Sequence, residues 1–422
     1  MRPERPGRQP PETLESARAG LHSPAAVPTL PALKPLTILL IAGDPSGDLL
    51  AAELARELRR QAGPFSPRLI GAGGPAMAAA GVELSHDLTR HSVIGLEIFR
   101  KYSELRRVFH DLLNLAGRER PDVVVGVDYG GFNLRFAAAV RARIAWESGP
   151  FLNWRPRIVQ YVSPQVWASR PGRAQTMERT HDLLLSILPF EAAWYARHAP
   201  TLPVEFVGHP IVDRHHTLAP PAPPQPAPGT PPVLLLLPGS RVGELQRHLP
   251  VMIPAARQVT AATGARVRLV LPREALRTLA APFLAELPSV EVQVGDLPTA
   301  LQGATVALAS TGTVTLECAW FGVPTVALYR TSALTYAIGR RIVTVKYLAM
   351  PNLLADAVVM PEFVQDAATP EALAGALCEL LQDPAKLAAS RARLQDVARQ
   401  LGTPGAARRA AAAILGKLPG QA

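Results

Sequence analysis

The fold of this 422-residue chain is decided first by the stretch Leu36-Thr-Ile-Leu-Leu-Ile-Ala-Gly-Asp-Pro-Ser-Gly-Asp48. Its first seven residues are apolar apart from one threonine, which is typical of a strand buried on both faces of a parallel sheet. A glycine-containing turn follows, and residues 49–60 continue with a helical pattern. The stretch therefore predicts a strand, a turn and a helix, the repeating unit of an α/β fold.

The same alternation recurs on both sides of a proline-rich segment. Before it, strands are predicted at 68–71, 123–127, 158–162, 183–188 and 205–207; after it, they are predicted at 233–237, 267–271, 290–294, 306–309 and 325–328. The segment itself, 220–232, contains eight prolines, and such a segment is stiff and cannot join a sheet. We expect an α/β protein with two Rossmann-like parallel-sheet domains that face each other across a cleft.

Composition and charge narrow the class of protein. The chain is 48% hydrophobic with a net charge of +10, of which +2 lies in residues 1–35 and +6 in residues 384–422. Because the body between them is nearly balanced and only 5% of residues are aromatic, we expect no nucleic-acid partner. The two cysteines, the lack of an export signal and the lack of an apolar run of about 20 residues indicate a cytosolic protein.

These patterns predict five segments. They are a disordered extension at 1–35, an N-terminal domain at 36–219, a linker at 220–232, a C-terminal domain at 233–369 and a basic helical segment at 370–422.

Carboxylates mark two turns of the first half. Asp44 and Asp48 flank the turn after the first strand, where they either face a ligand at the cleft mouth or simply cap the next helix. Asp128 ends a strand of valines, where it serves either as a general base or as a turn-stabilising residue.

Small residues mark two turns of the second half. Pro238-Gly-Ser-Arg241 combines turn amides with a guanidinium, a pair of groups that suits a diphosphate. Ser310-Thr-Gly-Thr-Val-Thr-Leu-Glu317 adds further amides and hydroxyls, and Glu317 can accept hydrogen bonds from ribose. Together, at successive loops of one sheet edge, the two motifs favour a nucleotide site.

Two basic, apolar-rich segments, 92–107 and 334–346, are compatible with a helix lying on an anionic membrane or with a helix packed on the core. The ten histidines form no pattern typical of a metal site, so we expect no metal. We expect no cofactor either.

Taken in order, the motifs resemble those of the lipid-A-disaccharide synthases, glycosyltransferases with the two-domain GT-B architecture. The resemblance extends collinearly over residues 36–400, and these stretches carry it: Ile41-Ala-Gly-Asp-Pro-Ser-Gly-Asp48, Gly71-Ala-Gly-Gly-Pro-Ala-Met77, Gly126-Val-Asp128, Phe132-Asn-Leu134, Tyr161-Val-Ser-Pro-Gln-Val-Trp-Ala168, Leu188-Pro-Phe-Glu191, Phe206-Val-Gly-His-Pro210, Leu237-Pro-Gly-Ser-Arg241, Gly312-Thr-Val-Thr-Leu-Glu317 and Met350-Pro-Asn-Leu-Leu354.

The resemblance implies an inverting transfer of 2,3-diacylglucosamine from UDP-2,3-diacylglucosamine to 2,3-diacylglucosamine 1-phosphate. It implies a lipid-side acceptor domain at 36–219 and a UDP-binding domain at 233–369, with Asp128 and then Asp44 as candidates for the catalytic base. Substrate-binding residues are expected as follows: Ser46, Gly47, Asn133 and Ser163 in the first half, and Ser240, Arg241, Gly312, Thr313, Glu317 and Asn352 around UDP. The expected location is the cytoplasmic face of the inner membrane, peripherally bound, and a homodimer is compatible with the resemblance.

The chain also departs from the family pattern. Asp44 stands where glutamate is usual, Tyr129-Gly-Gly131 replaces a usual Ala-Pro-Asp, and Asp356-Ala357 stands near a usual Gly-Arg pair. Two alternatives therefore stay open from the residues: an enzyme that processes UDP-GlcNAc, such as a 2-epimerase, and a non-catalytic homologue that binds nucleotide or lipid.

Overall fold

The computed structural model describes residues 36–89, 98–147, 149, 153–218 and 230–416, with the backbone alone for 98–102. Several predicted features therefore lie outside the described residues, in whole or in part: the extension 1–35, the amphipathic segment 92–107 up to residue 97, the linker at 220–229 and the chain end at 417–422.

The first half of the described chain forms a parallel sheet. Its strands are β1 (Thr37–Ala42), β2 (Arg68–Gly73), β3 (Glu83–Asp87), β4 (Val123–Val127), β5 (Arg157–Tyr161), β6 (Leu183–Ser186) and β7 (Val204–Phe206). They pair in the order β3-β2-β1-β4-β5-β6-β7. Every residue of β1 and β4 is buried, as the continuous apolar runs predict for central strands covered on both faces.

Helices cover both faces of this first sheet. They are α1 (Pro45–Ala62), α2 (Pro75–Ala79), α3 (Ile98–Glu119), α4 (Gly130–Glu147), α5 (Val166–Ser169), α6 (Arg173–Thr180), α7 (Glu191–His198) and α8 (Pro210–His215). Leu54 and Leu58 of α1 pack on one face, and Leu112 of α3 and Phe136 of α4 pack on the other.

The second half repeats the design. Its parallel strands are β8 (Val233–Leu237), β9 (Arg266–Leu271), β10 (Glu291–Val294), β11 (Val306–Ser310), β12 (Thr325–Tyr329) and β13 (Glu362–Val364), in the order β10-β9-β8-β11-β12-β13. The remaining helices are α9 (Val242–Thr263), α10 (Ala275–Leu284), α11 (Leu297–Gln302), α12 (Thr313–Trp320), α13 (Ala333–Ile342), α14 (Met350–Ala355), α15 (Pro370–Gln382), α16 (Pro384–Gln400) and α17 (Ala406–Leu415). The predicted α/β class with two parallel sheets is confirmed.

Each sheet has one place where the direction of winding reverses, between β1 and β4 in the first and between β8 and β11 in the second. Loops diverge at such a switch point and leave a crevice at the carboxyl ends of the strands, where ligands of open α/β sheets bind. The turns that contain Asp44, Asp128, Ser240 and Gly312 follow these four strands. Sequence patterning thus led to the loops that flank both crevices.

The chain returns to the first sheet at its C-terminal end. Ala410, Ala411 and Ile414 of α17 are fully buried in the same cluster as α1 and β1. Arg157 of β5 also donates to the carbonyls of Ala413 and Ile414, both at 3.1 Å. The predicted segment 370–422 is helical as far as it is described, but its last described helix belongs to the core of the first half. The domain bounds themselves stay a prediction.

Candidate active site

A cavity of about 480 Å³ lies between the carboxyl ends of the two sheets, and residues of both halves line it. Among the predicted site residues, these line it: Ser46, Asp128, Ser163, Gly312, Thr313 and Glu317. We call it the central cavity. Because polar groups from both halves line the same cavity, one ligand can contact both halves at once.

Asp128 stands at the end of β4 with a half-buried carboxyl. Burial raises its pKa above the usual aspartate range, and the nearby negative charge of Asp44 raises it further. The backbone carbonyl of Asp128 is fixed by Asn133 Nδ2 at 2.8 Å and by Gln160 Nε2 at 2.9 Å. Asn133, predicted to bind substrate, is thus buried and holds the backbone of the candidate base.

Backbone strain is concentrated around the same carboxyl group. Asp128 and Tyr129 have φ values of 49° and 46°, and Val162 at the end of the neighbouring strand β5 has φ 67°. Such left-handed conformations are unusual for these residue types, above all for a β-branched valine, and they occur preferentially at functional sites. Tyr129 also covers Gly43 so closely that an added Cβ there would meet the ring at 2.2 Å.

The turn after β1 serves partly as a helix cap. Asp44 is the N-cap of α1, and its Oδ1 accepts from Gly47 N at 2.6 Å. Of the two interpretations left open for this turn, a position of Asp48 at the cleft mouth has no support, because Asp48 is buried and accepts from the amides of Gly74 and Met77 at 2.8 and 3.0 Å. Of the two carboxylates in this turn, Asp44 is the one whose negative charge raises the pKa of Asp128.

A buried network supports the wall formed by the loop after β5. Ser163 Oγ lies 3.0 Å from the hydroxyl of Tyr195, and Trp167 Nε1 donates to Glu191 Oε1 at 3.0 Å. Burial raises the pKa of Glu191 to about 7, and the hydrogen bonds from Trp167 and from the amide of Leu188 oppose that rise. Ser163 and Glu191 both line the central cavity.

A second cavity of about 530 Å³ lies in the second half and shares Gly312, Thr313 and Glu317 with the central cavity. We call it the distal cavity; Ser240 and Arg241 line it. The amides of both residues donate to Glu244 Oε2 at 2.8 and 3.1 Å, and Arg241 Nη1 contacts Glu244 Oε1 at 2.9 Å. An internal carboxylate thus engages the donors predicted to bind an anionic ligand.

The N-terminus of α12 separates the two cavities. Gly312, its N-cap, has φ 136° and ψ −161°, a conformation essentially restricted to glycine. Glu317, one turn into the helix, is half-buried, and burial raises its pKa to about 7, although Arg214 partly opposes this. The predicted pairing of a glycine turn with an acceptor carboxylate is therefore present at one helix end.

Asn352 does not line either cavity. Asn352 is fully buried. Its Nδ2 donates to the carbonyl of Met360 and to Glu362 Oε1. Its Oδ1 accepts from the amides of Val359 and Met360. All its polar atoms are engaged in holding the segment between α14 and β13. Its expected contact with UDP therefore has no support in the geometry.

Some lining residues of the central cavity were not predicted, among them Arg214, His209 and Glu191. His209 and Glu191 lie inside stretches that carried the family resemblance, so those stretches were the available signal. Arg214 stands four residues after the stretch that contains His209, and its positive charge lowers the pKa of Glu317 across the cavity. Nothing in its local pattern distinguishes it from a solvated arginine.

The chain is similar in sequence to known proteins over most of its length. Residues 38–415 match the family model described as Lipid-A-disaccharide synthetase. The Lipid-A-disaccharide synthase of Alkalilimnicola ehrlichii is 38% identical over 400 residues, which cover 90% of this chain and 98% of that protein.

Solved structures with a similar fold are more distant in sequence. The UDP-GlcNAc 2-epimerase of Neisseria meningitidis, bound to UDP-GlcNAc, superposes with a TM-score of 0.57 at 11% identity, covering 90% of this chain and 99% of that one. MurG of Acinetobacter baumannii superposes with a TM-score of 0.53 at 16% identity, with coverages of 90% and 99%. At these identities the likeness concerns the fold, and it agrees with the predicted GT-B architecture.

Proposed function

The chain belongs to the lipid-A-disaccharide synthase family, and from that premise we propose how its two cavities divide the reaction. Its activity is that of a lipid-A-disaccharide synthase, a glycosyltransferase, acting on lipid A precursors. We assign the UDP-sugar donor to the half 233–369 and the acylated acceptor to the half 36–219.

The donor's diphosphate is proposed to bind where the distal cavity meets the central cavity. Gly312 and Thr313 begin α12, and the N-terminus of a helix favours negative charge. Arg241 adds a guanidinium to the lining of the distal cavity. Ser240 and Arg241 gain amide donors for phosphate once Glu244 is displaced, and Glu317 accepts from the ribose hydroxyls.

Asp128 is proposed as the base that completes the transfer. It takes the proton of the acceptor 6-hydroxyl, whose oxygen forms the bond to the anomeric carbon while the bond from that carbon to UDP breaks. UDP leaves with the electron pair, opposite the incoming oxygen, so the anomeric configuration inverts. One observation carries the proposal: Asp128 and the N-terminus of α12 line the same cavity from opposite halves.

The substitution Asp128→Asn tests this role, because it keeps the size of the side chain and removes the base. We expect turnover to fall by at least about a hundredfold, the usual contribution of a general base, with UDP affinity unchanged. The native rate is expected to fall as the pH drops through the raised pKa of Asp128, since the ionised form is the base. Loss of UDP binding in the variant would instead indicate a structural role, and full activity would exclude Asp128 as base.

We further propose that α13 brings the enzyme to the cytoplasmic face of the inner membrane. Leu334, Ile338 and Ile342 recur at a spacing of four residues and are 73%, 50% and 38% exposed. Arg340 and Arg341 stand in the last turn of the same helix. Apolar side chains flanked by cations suit a surface of anionic lipids. No helix among the described residues has the length and apolar character needed to cross a bilayer.

A further inference from the structure

A third cavity, of about 470 Å³, opens on the first half beside the central cavity. Residues of α3, the start of α4 and the start of α6 line it. It combines an aromatic wall with four arginines, and its volume falls within the range of about 300–1,000 Å³ that is usual for ligand pockets. We call it the acceptor cavity.

The aromatic wall is a packed cluster. Phe109 meets Phe132 edge to face with ring centroids 5.3 Å apart, and Tyr129 stacks on Phe132 at 5.4 Å. Phe132 is buried, whereas Phe109 and Tyr129 are half-buried and keep part of their rings accessible. Such a wall removes an alkyl chain from water without requiring a polar partner.

The charged side of the acceptor cavity consists of Arg106, Arg135, Arg170 and Arg173. Within the part of the chain that the structure describes, none of the four forms an ion pair with a carboxylate. Burial, Arg170 and Arg135 together lower the pKa of Arg173. Like charges gathered around a cavity, with no ion-pair partner among the described residues, suit an anionic ligand, and arginine is well matched to phosphate.

The acceptor cavity is continuous with the central cavity. Gly131, Arg170 and Arg173 line both. A Cβ added to Gly131 would meet no atom within 4 Å, so no side chain closes the connection at this point. A sugar in the central cavity can therefore extend a phosphate and an acyl chain towards the arginines and the aromatic wall.

We propose that the acceptor cavity binds the acylated sugar phosphate that accepts the transferred sugar. Its phosphate monoester lies among Arg135, Arg170 and Arg173, and an acyl chain lies along the accessible parts of the Phe109 and Tyr129 rings. This assignment deepens the proposed function and rests on it for the position of the reacting hydroxyl. The shared chemistry, an anionic phosphate group, is also offered by unacylated sugar phosphates and by inorganic phosphate.

The test is equilibrium binding to the full chain, which requires no turnover. The probes are 2,3-diacylglucosamine 1-phosphate, the same lipid without its phosphate, glucosamine 1-phosphate and inorganic phosphate. The variant Arg135→Gln combined with Arg173→Gln is expected to bind the phosphorylated lipid at least tenfold more weakly and the dephosphorylated lipid within twofold of native. The matched control is Arg179→Gln, an exposed arginine on the same helix as Arg173, which should leave every affinity unchanged.

The aromatic wall has its own arm of the test. Phe109→Ser is expected to lower the affinity for both lipids equally and to leave the affinity for glucosamine 1-phosphate unchanged. The assignment would be overturned if the double arginine variant lost affinity equally for both lipids. It would also be overturned if the native protein bound glucosamine 1-phosphate or inorganic phosphate as tightly as it binds the phosphorylated lipid. Intact lipid binding without release of UDP in the transfer assay would contradict the proposed function and leave the acceptor cavity standing.

Discussion

Two carboxyl groups on opposite walls of the central cavity have raised pKa values for the same physical reason. Asp128 and Glu317 are both partly removed from water, which disfavours the charged form of each. Their proposed tasks differ, because Asp128 must lose its proton to act as a base whereas Glu317 accepts hydrogen bonds from a ribose. A bound donor that supplies hydroxyl donors would restore the charged form of Glu317.

The substitution Glu317→Gln is predicted to stabilise the free protein and weaken UDP binding. The pKa of Glu317 is about 7 in the folded chain against an ordinary 4.5, so the folded form holds a proton that the unfolded form has lost. Stability is therefore lost as the pH rises from 4.5 to 7 and stays lost above 7. At pH 8 the variant should be more stable by at most about 3 kcal/mol, and at pH 4 it should equal the native chain.

Denaturant unfolding at both pH values, together with UDP titration, measures this prediction. A variant of equal stability at pH 8 would show that burial does not disfavour the charge at this position.

Sequence reasoning could place residues at the ends of strands, but it could not tell which polar side chains turn inwards. Asp128 and Gly312 follow buried strands, and topology alone brings such positions to the cleft. Asp48 lies in the first turn of α1 and Asn352 lies within α14, and their side chains accept from buried amides instead. Whether a polar side chain faces the cleft or bonds to buried amides depends on contacts between residues far apart in sequence, such as that between Asp48 and Gly74. A local sequence pattern does not contain such contacts.

At the scale of single elements, the N-terminus of α12 depends on its glycine. Gly312→Ala is predicted to cost about 1–3 kcal/mol of stability, because φ 136° with ψ −161° is strained for any residue with a Cβ. If the chain relaxes to relieve the strain, the helix end moves, and UDP binding should weaken at least tenfold.

The matched control for this change is Gly375→Ala, at an exposed position inside α15 where an added Cβ meets nothing within 4 Å. It should stabilise the chain by about 0.5–1 kcal/mol, as expected for alanine within a helix, and leave UDP binding unchanged. Thermal unfolding measures the stability of both variants. Equal changes in stability would show that the backbone conformation of Gly312 is not strained by a side chain.

The helix α13 provides the element-scale test of membrane binding. The sequence left open whether this segment packs on the core or faces lipid, and no residue of the helix is buried. Leu334→Ser combined with Ile338→Ser is predicted to reduce flotation with vesicles of anionic phospholipid at least fivefold, with turnover of detergent-dispersed substrate unchanged. A comparable exposed apolar side chain, Trp146→Ser on α4, serves as control. Unchanged flotation would exclude α13 as the contact.

Strand prediction succeeded for the central strands and failed at two sheet edges. β3 (Glu83–Asp87) and β13 (Glu362–Val364) have no fully buried residue and contain charged side chains, so neither forms an apolar run. They are strands because a neighbouring strand leaves its hydrogen-bonding edge available. That reason lies in the assembled sheet rather than in the five or three residues concerned.

At the scale of the whole described chain, the basic C-terminal end has a structural task. Arg409 donates to the carbonyl of Val207 at 2.8 Å, and Asp213 accepts from the amide of Ala406 at 2.8 Å. These bonds tie α17 to the first half. Part of the positive charge that sequence analysis singled out therefore holds two distant parts of the chain together.

Truncation after Gln400 is predicted to abolish cooperative folding of the first half. It removes Ala410, Ala411 and Ile414, all fully buried, and burial of an isoleucine side chain alone contributes about 1.5–3 kcal/mol. Lys386→Gln combined with Arg399→Gln removes two exposed charges from the preceding helix α16 and should leave unfolding unchanged. Chemical denaturation compares the two, and a truncated chain as stable as native would show that α17 is dispensable.

The most direct test of the central claim is identification of the product. Purified protein is incubated with UDP-2,3-diacylglucosamine, with and without 2,3-diacylglucosamine 1-phosphate, and separately with non-acylated UDP-GlcNAc, and the products are analysed by mass spectrometry and NMR. We predict a β(1→6)-linked disaccharide 1-phosphate together with an equal amount of UDP, both strictly dependent on the acceptor. Turnover of non-acylated UDP-GlcNAc to its 2-epimer, or UDP binding without any disaccharide, would contradict the account.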